Sequence, residues 1–396
     1  MVIENRPELS PPAMLVYTAT GVVMLGTAAM SPVLPALQST FDVSDAGIGL
    51  VMSVFTFAVA VTVPFHGWLA DRFGRRPVLG GSLILFGIAG VGTFLAPDFR
   101  TVLALRALQG VGFAGSLPLV VTIISDMFDG PAEIGAQGYR VTAVNLAGFL
   151  FPVATGLLVV VAWNVPFLLY GLAVPVGIAV LYWLPEYTDG VDRPEGNYAR
   201  AVLLAARSPL VAIAVSIGTL RFFTLYALYA YLPLLIITRD LGAGQVGIVI
   251  GAISAVKMIV ATQAPRSLAV GPPRITVVLA LLASLLIVGS FSMATSFLGF
   301  LLVAGALGAA EGVSAPLQKT VLTRYAAPNV RAGVVSFNAA AQNFAKTLGP
   351  IVLGLVVVTE SAPVAFVGLG IGGAVLALGL LGVVLVVGER EPPAAT

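Results

Sequence analysis

Along this chain the apolar residues come in long unbroken runs, without the spacing of an amphipathic helix or the alternation of a half-buried strand. Twelve runs are long enough to cross a bilayer as helices of about 20 residues. The first six are 14–37, 46–70, 77–96, 101–124, 139–161 and 166–184; the others are 209–237, 246–265, 275–294, 297–316, 333–358 and 363–387. The one long hydrophilic connection lies between the two sets and carries Glu186, Asp189, Asp192, Arg193, Glu195, Arg200 and Arg207. The pattern predicts an all-α membrane protein of twelve transmembrane helices in two six-helix bundles, 1–185 and 209–396, joined by a cytoplasmic linker at 186–208. The polar start precedes an apolar run too long for a signal-peptide core and shows no small-residue cleavage site, so it is expected to remain as a tail.

Composition changes the picture by exclusion. Only 10% of the 396 residues are charged, against about 25% in soluble proteins, too few to cover a water-facing surface. The net charge is +2 and no Lys/Arg-rich run exists, so nucleic acid is not an expected partner. With no cysteine and the single His66, disulfides, thiolate metal sites and Cys nucleophiles are excluded, and no metal or cofactor is expected. His66 is expected to pack at the end of segment 2 and not to carry protons.

Basic residues set the orientation, since Lys/Arg-rich loops stay in the cytoplasm. With both termini inside, fourteen of the twenty Lys/Arg lie on that side, and only Arg100 and Arg239 lie outside. The remaining four, Arg106, Arg221, Lys257 and Lys346, fall within predicted helices.

The halves also repeat one another. A shift of 198 residues lays Pro35 on Pro233, Gly49 on Gly247, Gly110 on Gly308, Ser116 on Ser314, Pro118 on Pro316, Pro152 on Pro350 and Gly156 on Gly354. A single register across corresponding helices indicates a duplicated six-helix unit, and parallel repeats of this kind are built to expose a site alternately to each side. The prolines are expected to kink their helices at matching places.

The loop between segments 2 and 3 reads Gly67-Trp68-Leu69-Ala70-Asp71-Arg72-Phe73-Gly74-Arg75-Arg76, which matches the G-x-x-x-D-R/K-x-G-R-R/K signature of the major facilitator superfamily. Leu25-Gly26 with Pro32 and Pro35, and Arg106 through Gly112, resemble elements of its twelve-helix drug:proton antiporter branch. Segment 5 departs from that branch: it keeps Pro152 and Gly156 but has Ala147, Phe151 and Thr155 at other pattern positions. Physically, Gly67 and Gly74 allow close approach of helix ends. Asp71 can pair with Arg72, Arg75 or Arg76, or cap a helix N-terminus. The resemblance implies a gating loop that stabilises one access state; the arginines alone would also serve as topology anchors.

Charge inside the bilayer is costly, about 2.5 to 3.5 kcal/mol at a helix centre, so Arg106, Arg221, Lys257, Glu311 and Lys346 must pair or line water. Glu311 is the sole acid expected at this depth, about 21 Å of helical rise from Phe297. It reads either as a protonatable coupling group or as half of a structural ion pair. The resemblance implies that segments 1, 4, 7 and 10 line a central cavity, which places Arg106, Gln109 and Arg221 on it. Phe222, Tyr226 and Tyr229 share one face of segment 7, and Asn338, Gln342 and Lys346 one face of segment 11. These stripes are further expected substrate contacts, with helix packing as the alternative for the aromatic one.

The leading expectation is therefore a monomeric, proton-coupled exporter of small amphipathic organic molecules. A carrier of organic or inorganic anions is the alternative within the same fold, and a non-transporting membrane receptor the alternative from another class. No paired carboxylates or nucleophile-base set at bilayer depth and no G-x-x-x-x-G-K-[ST] motif argue for an enzyme or an ATP-driven pump.

Overall fold

The computed structural model describes residues 7–186, 204–205, 207–263, 271–326 and 331–388. Most of the linker 186–208 lies outside them, as do Arg6, Arg193, Arg200, Arg266 and Arg390 of the orientation argument.

Twelve helices are long and apolar enough to cross a membrane, and no strand occurs among the described residues. They are α1 Pro11–Phe41, α2 Asp45–Phe73, α3 Arg75–Thr93, α4 Phe99–Met127, α5 Gly130–Leu158, α6 Val165–Trp183, α7 Pro209–Ile237, α8 Ala243–Ala261, α9 Pro273–Met293, α10 Phe297–Tyr325, α11 Gly333–Thr359 and α12 Ala362–Val386. Helical stretches satisfy their own backbone groups, the condition for spanning lipid. Apolar side chains cover all sides: α5 and α12 each bury only 28% of their most apolar window, and the rest is surface fit for acyl chains.

Several helices outrun their apolar stretch. α5 begins at Gly130, nine residues before the expected 139, and α10 continues nine residues past 316 to Tyr325. The added turns carry Glu133 and Gln137 in one case and Gln318, Lys319 and Arg324 in the other. Helical hydrogen bonding does not stop where hydrocarbon does, so hydropathy alone places these ends too early.

The 198-residue shift reappears in the helix starts: Pro11 and Pro209, Asp45 and Ala243, Arg75 and Pro273, Phe99 and Phe297. It also relates the two described non-glycine residues with left-handed backbone, Asp42 and Asp240. Gly110 lets α4 approach the Phe55 carbonyl and Ala58 of α2, while Gly308 lets α10 approach the Ile253 carbonyl and Val256 of α8, again 198 residues on. Capping is shared too. Asp98 accepts from Thr101 N at 2.7 Å and Ser296 from Gly299 N at 3.2 Å. That amide contact holds the exposed Asp98 carboxyl below its ordinary value.

The chain divides into two compact units: unit 1 is Met1–Val191 with Leu241–Gly251, and unit 2 is Asp192–Asp240 with Ala252–Thr396. In unit 1, α3 packs on α4 and α6, α2 on α4, and α1 on α5. Unit 2 repeats the scheme with α9 on α10 and α12, and α7 on α11. Its core joins Val211 and Ile217 of α7, Val277 and Leu281 of α9, Val321 of α10 and Val384 of α12.

Interruptions of helical form fall in unit 1 at places where unit 2 has none. α1 leaves α-helical form over Met24–Gly26 and Ala28–Val33, and α4 is interrupted at Gly115 and Ser116. Their counterparts α7 and α10 run unbroken through Pro233 and Pro316. Pro32 lies inside the opened stretch of α1, where the matching position of α7 is Ala230, and donors from other helices of unit 1 meet carbonyls freed in α1.

Candidate functional site

Three side chains take up carbonyls along the unwound centre of α1. Tyr170 Oη of α6 donates to Leu25 O at 2.7 Å, Arg106 Nη2 of α4 to Gly26 O at 3.1 Å, and Thr155 Oγ1 of α5 to Ala29 O at 2.8 Å. Thr155 is one of the departures from the antiporter pattern, and its hydroxyl ties α5 to α1. Arg106 also donates from Nε to Val51 O at 3.2 Å and from Nη1 to Gln109 Oε1 at 2.6 Å, with its guanidinium 4.3 Å from the Phe55 ring centre. Arg106 and Gln109 are fully buried in unit 1, where carbonyl and amide dipoles and a π face help to hold the cation. His66 is buried, its Nδ1 2.9 Å from Thr62 O, and packs as expected.

The loop signature uses partners other than the expected one. Arg75 opens α3 and forms an ion pair with Asp126 at the end of α4. The Glu186 carboxylate accepts from Arg75 N at 2.6 Å and Arg76 N at 3.2 Å, capping α3 where its helix dipole is positive. Gly74 precedes them with φ +92, a conformation suited to glycine, and a Cβ there would strike Glu186. Asp71 is exposed and makes no hydrogen bond or ion pair among the described residues, so the pairing and capping expected of it fall to Asp126 and Glu186. Gly67 does not serve close packing, since a Cβ there would meet nothing within 4 Å. Arg72 lies over the Trp68 and Phe73 rings, each at 5.6 Å.

Unit 2 holds the carboxylate. Glu311 of α10 is 1% exposed, and its Oε2 stands 3.7 Å from Arg221 Nη1 of α7, an ion pair too long for a hydrogen bond. Both oxygens of Glu311, with Nε and Nη1 of Arg221, lack hydrogen-bond partners among the described residues. A void of about 10 Å³, room for about one water, lies beside them and is lined also by Thr224, Ser284 and Leu307.

The Phe222 ring beside the pair meets two cations, Arg221 Cζ and Lys346 Nζ, each 4.6 Å from its centre. Lys346 Nζ is also 5.7 Å from the Tyr226 ring and donates to Asn343 Oδ1 at 3.0 Å. Tyr226 stands edge-on to Tyr229, with ring centres 6.1 Å apart, so the aromatic stripe of α7 forms as expected. Asn338 and Gln342 gather elsewhere. Gln318 Nε2 donates to Asn338 Oδ1 at 3.1 Å and to Ala214 O at 2.9 Å, while Gly218 leaves space that a Cβ would deny to Gln342, Gln318 and Asn338. Gln318 was not among the expected contacts. Its signal was legible, because Glu311, Ser314 and Gln318 recur at three and four residues along α10.

Twelve spans, a repeated six-helix pattern and buried charges in each unit define a polytopic transporter. The family model of the Major Facilitator Superfamily matches residues 16–269, well over half of the chain. The chain belongs to that superfamily, whose members are transporters and not enzymes. Among curated relatives it is 33% identical over 153 residues to the bacillibactin exporter of Bacillus subtilis, an alignment covering 37% of this chain and 38% of that protein. It is 23% identical over 222 residues to the quinolone resistance protein NorA of Staphylococcus aureus, covering 54% of this chain and 57% of NorA. The matches thus span about two-fifths to just over half of those relatives' lengths. Two solved structures share the fold at 16% identity. A bacterial homologue of the human lysosomal transporter Spinster, inward-facing and unoccupied, gives a TM-score of 0.78 over 99% of this chain and 100% of its own. A D-xylose-proton symporter gives 0.74 over 93% and 96%.

Proposed function

We propose that this chain is a secondary active transporter that exports small amphipathic organic molecules in exchange for protons. Its halves, 1–185 and 209–396, alternate access across a cytoplasmic membrane, and both termini lie in the cytoplasm. The observation that carries the proton part is Glu311, a buried carboxylate beside Arg221 with neither oxygen hydrogen-bonded and with room for water alongside. Burial disfavours a bare carboxylate while a nearby cation favours it. At 3.7 Å the attraction holds without a hydrogen bond to fix it, so a change in Arg221's position shifts the balance between the two forms. The names of the bacillibactin exporter and NorA support the outward direction.

Around this group stand the expected substrate contacts Phe222, Tyr226, Tyr229 and Lys346, with Asn338 and Gln342 at the amide cluster. In unit 1, Arg106 and Gln109 keep α1 in its opened form, and the loop Asp71, Arg72, Arg75 and Arg76 gates access. Purified protein in liposomes, screened with cationic, neutral and anionic solutes under an imposed pH gradient while internal pH is followed, tests the reading. Solute accumulation matched by proton counterflow supports it; flux indifferent to the gradient refutes the coupling.

A further inference from the structure

Two cations share one phenyl ring in unit 2, and only one of them has a carboxylate. Arg221 is answered by Glu311 at 3.7 Å. Lys346 has no carboxylate within ion-pair distance among the described residues; its ammonium, with three N–H donors, makes one hydrogen bond, to Asn343. The remaining support is the Phe222 face at 4.6 Å and the Tyr226 ring at 5.7 Å. A cation–π contact contributes about 0.5 to 2 kcal/mol, whereas a lysine at bilayer depth costs about 2.5 to 3.5 kcal/mol. The Phe222 ring, moreover, already faces the Arg221 guanidinium. Positive charge is left over on a half-buried face with two donors to offer.

We propose that Lys346, Phe222 and Tyr226 form the recognition site for a monoanionic aromatic molecule, a carboxylate or sulfonate, with its charged group on the Lys346 ammonium and its ring system against Phe222 and Tyr226. An organic cation would add a third positive charge to a ring already shared by two. Phosphate or sulfate would require several donors at once, and Arg221, the fork suited to them, is turned toward Glu311. The flanking rings cannot replace the hydration of a small inorganic ion, yet they match an aryl group. The inference rests on the transporter reading for the movement of the bound molecule across the membrane, and it names the substrate class that the reading leaves open.

The test uses the purified full chain and three probes of one shape: 2-naphthoate, 2-naphthalenemethanol and 2-naphthylmethylammonium, titrated by calorimetry. The site predicts that naphthoate binds most tightly, that Lys346→Gln weakens it by about tenfold or more while barely changing the alcohol, and that Lys346→Arg retains it. Phe222→Leu, which leaves every charge in place, should erase the preference for naphthoate over cyclohexanecarboxylate, and it decides the matter if Lys346→Gln is not monodisperse. Naphthoate binding equal in wild type and Lys346→Gln, absent from folded wild type, or weaker than that of the ammonium probe overturns the assignment. Proton-driven flux of the ammonium probe would overturn it and leave the transporter reading standing. Naphthoate binding lost in Lys346→Gln, with no flux of any solute in liposomes, would uphold the site and refute that reading.

Discussion

Arg221 and Glu311 face each other across α7 and α10 at 3.7 Å, both buried, and neither charged group in that gap is closed by a hydrogen bond. A buried pair of good geometry holds its charges fixed. This one keeps electrostatic attraction while sparing the rigidity, as the proposed gain and loss of a proton at Glu311 requires.

Arg106 is the contrasting case, a buried cation secured by three acceptors and a ring. Arg106→Met should strand the Gly26 and Val51 carbonyls and the Gln109 side chain, at about 1 to 3 kcal/mol per unmet group. Thermal unfolding in detergent should fall by several degrees. Arg106→Lys, unable to reach α1, α2 and Gln109 together, should recover only part of the loss. An unchanged midpoint for Arg106→Met would show that these contacts do not hold α1 open.

At the loop between α2 and α3, structural contacts and the proposed gating can be tested separately. Asp126→Asn removes the partner of Arg75 within unit 1 and should lower the unfolding midpoint. Asp71→Asn touches no contact within the described residues and should leave the midpoint in place, yet impair transport far more than ligand binding. Normal transport by a well-expressed Asp71→Asn variant would exclude a gating role for this carboxylate.

A side chain at Gly218 should disturb the amide cluster. An alanine Cβ would lie 2.5 Å from Gln342 Nε2 and 2.9 Å from Gln318 Nε2, so the amides must part. Gly218→Ala should cost about 1 to 3 kcal/mol, and Gly218→Ala with Gln342→Ala should recover part of it. Strictly additive midpoints in the double variant would mean that Gln342 is not what the methyl displaces.

The features legible in the sequence are those set by local chemistry. Twelve apolar runs identify the spans because lipid admits only helices of that length, and the 198-residue register survives in the starts at Pro11 and Pro209 or Phe99 and Phe297. Glu311 and Arg221 stood out because charge is rare where they lie. Which of Arg221, Lys257 and Lys346 answers Glu311 was not legible, since it depends on how far each helix is rotated about its axis. Glu186 caps Arg75 from 111 residues away, a pairing no local pattern encodes. The opening of α1 was half legible: Pro32 marks a weak point where α7 has Ala230, but the donors Tyr170, Arg106 and Thr155 that meet the α1 carbonyls come from other helices and no local pattern shows them.

The most direct test of the account is Glu311→Gln in liposomes, because the amide mimics the protonated acid and cannot release a proton. Two rates are to be compared in one preparation: accumulation of solute driven by a pH gradient, and exchange of labelled for unlabelled solute with no gradient. The account predicts that exchange survives while pH-driven accumulation is lost. Were Glu311 only a structural partner of Arg221, the variant would instead fold poorly, with a buried cation left uncompensated, and both rates would fall together. A well-folded Glu311→Gln protein that still accumulates solute against its gradient at the wild-type rate would contradict the central claim.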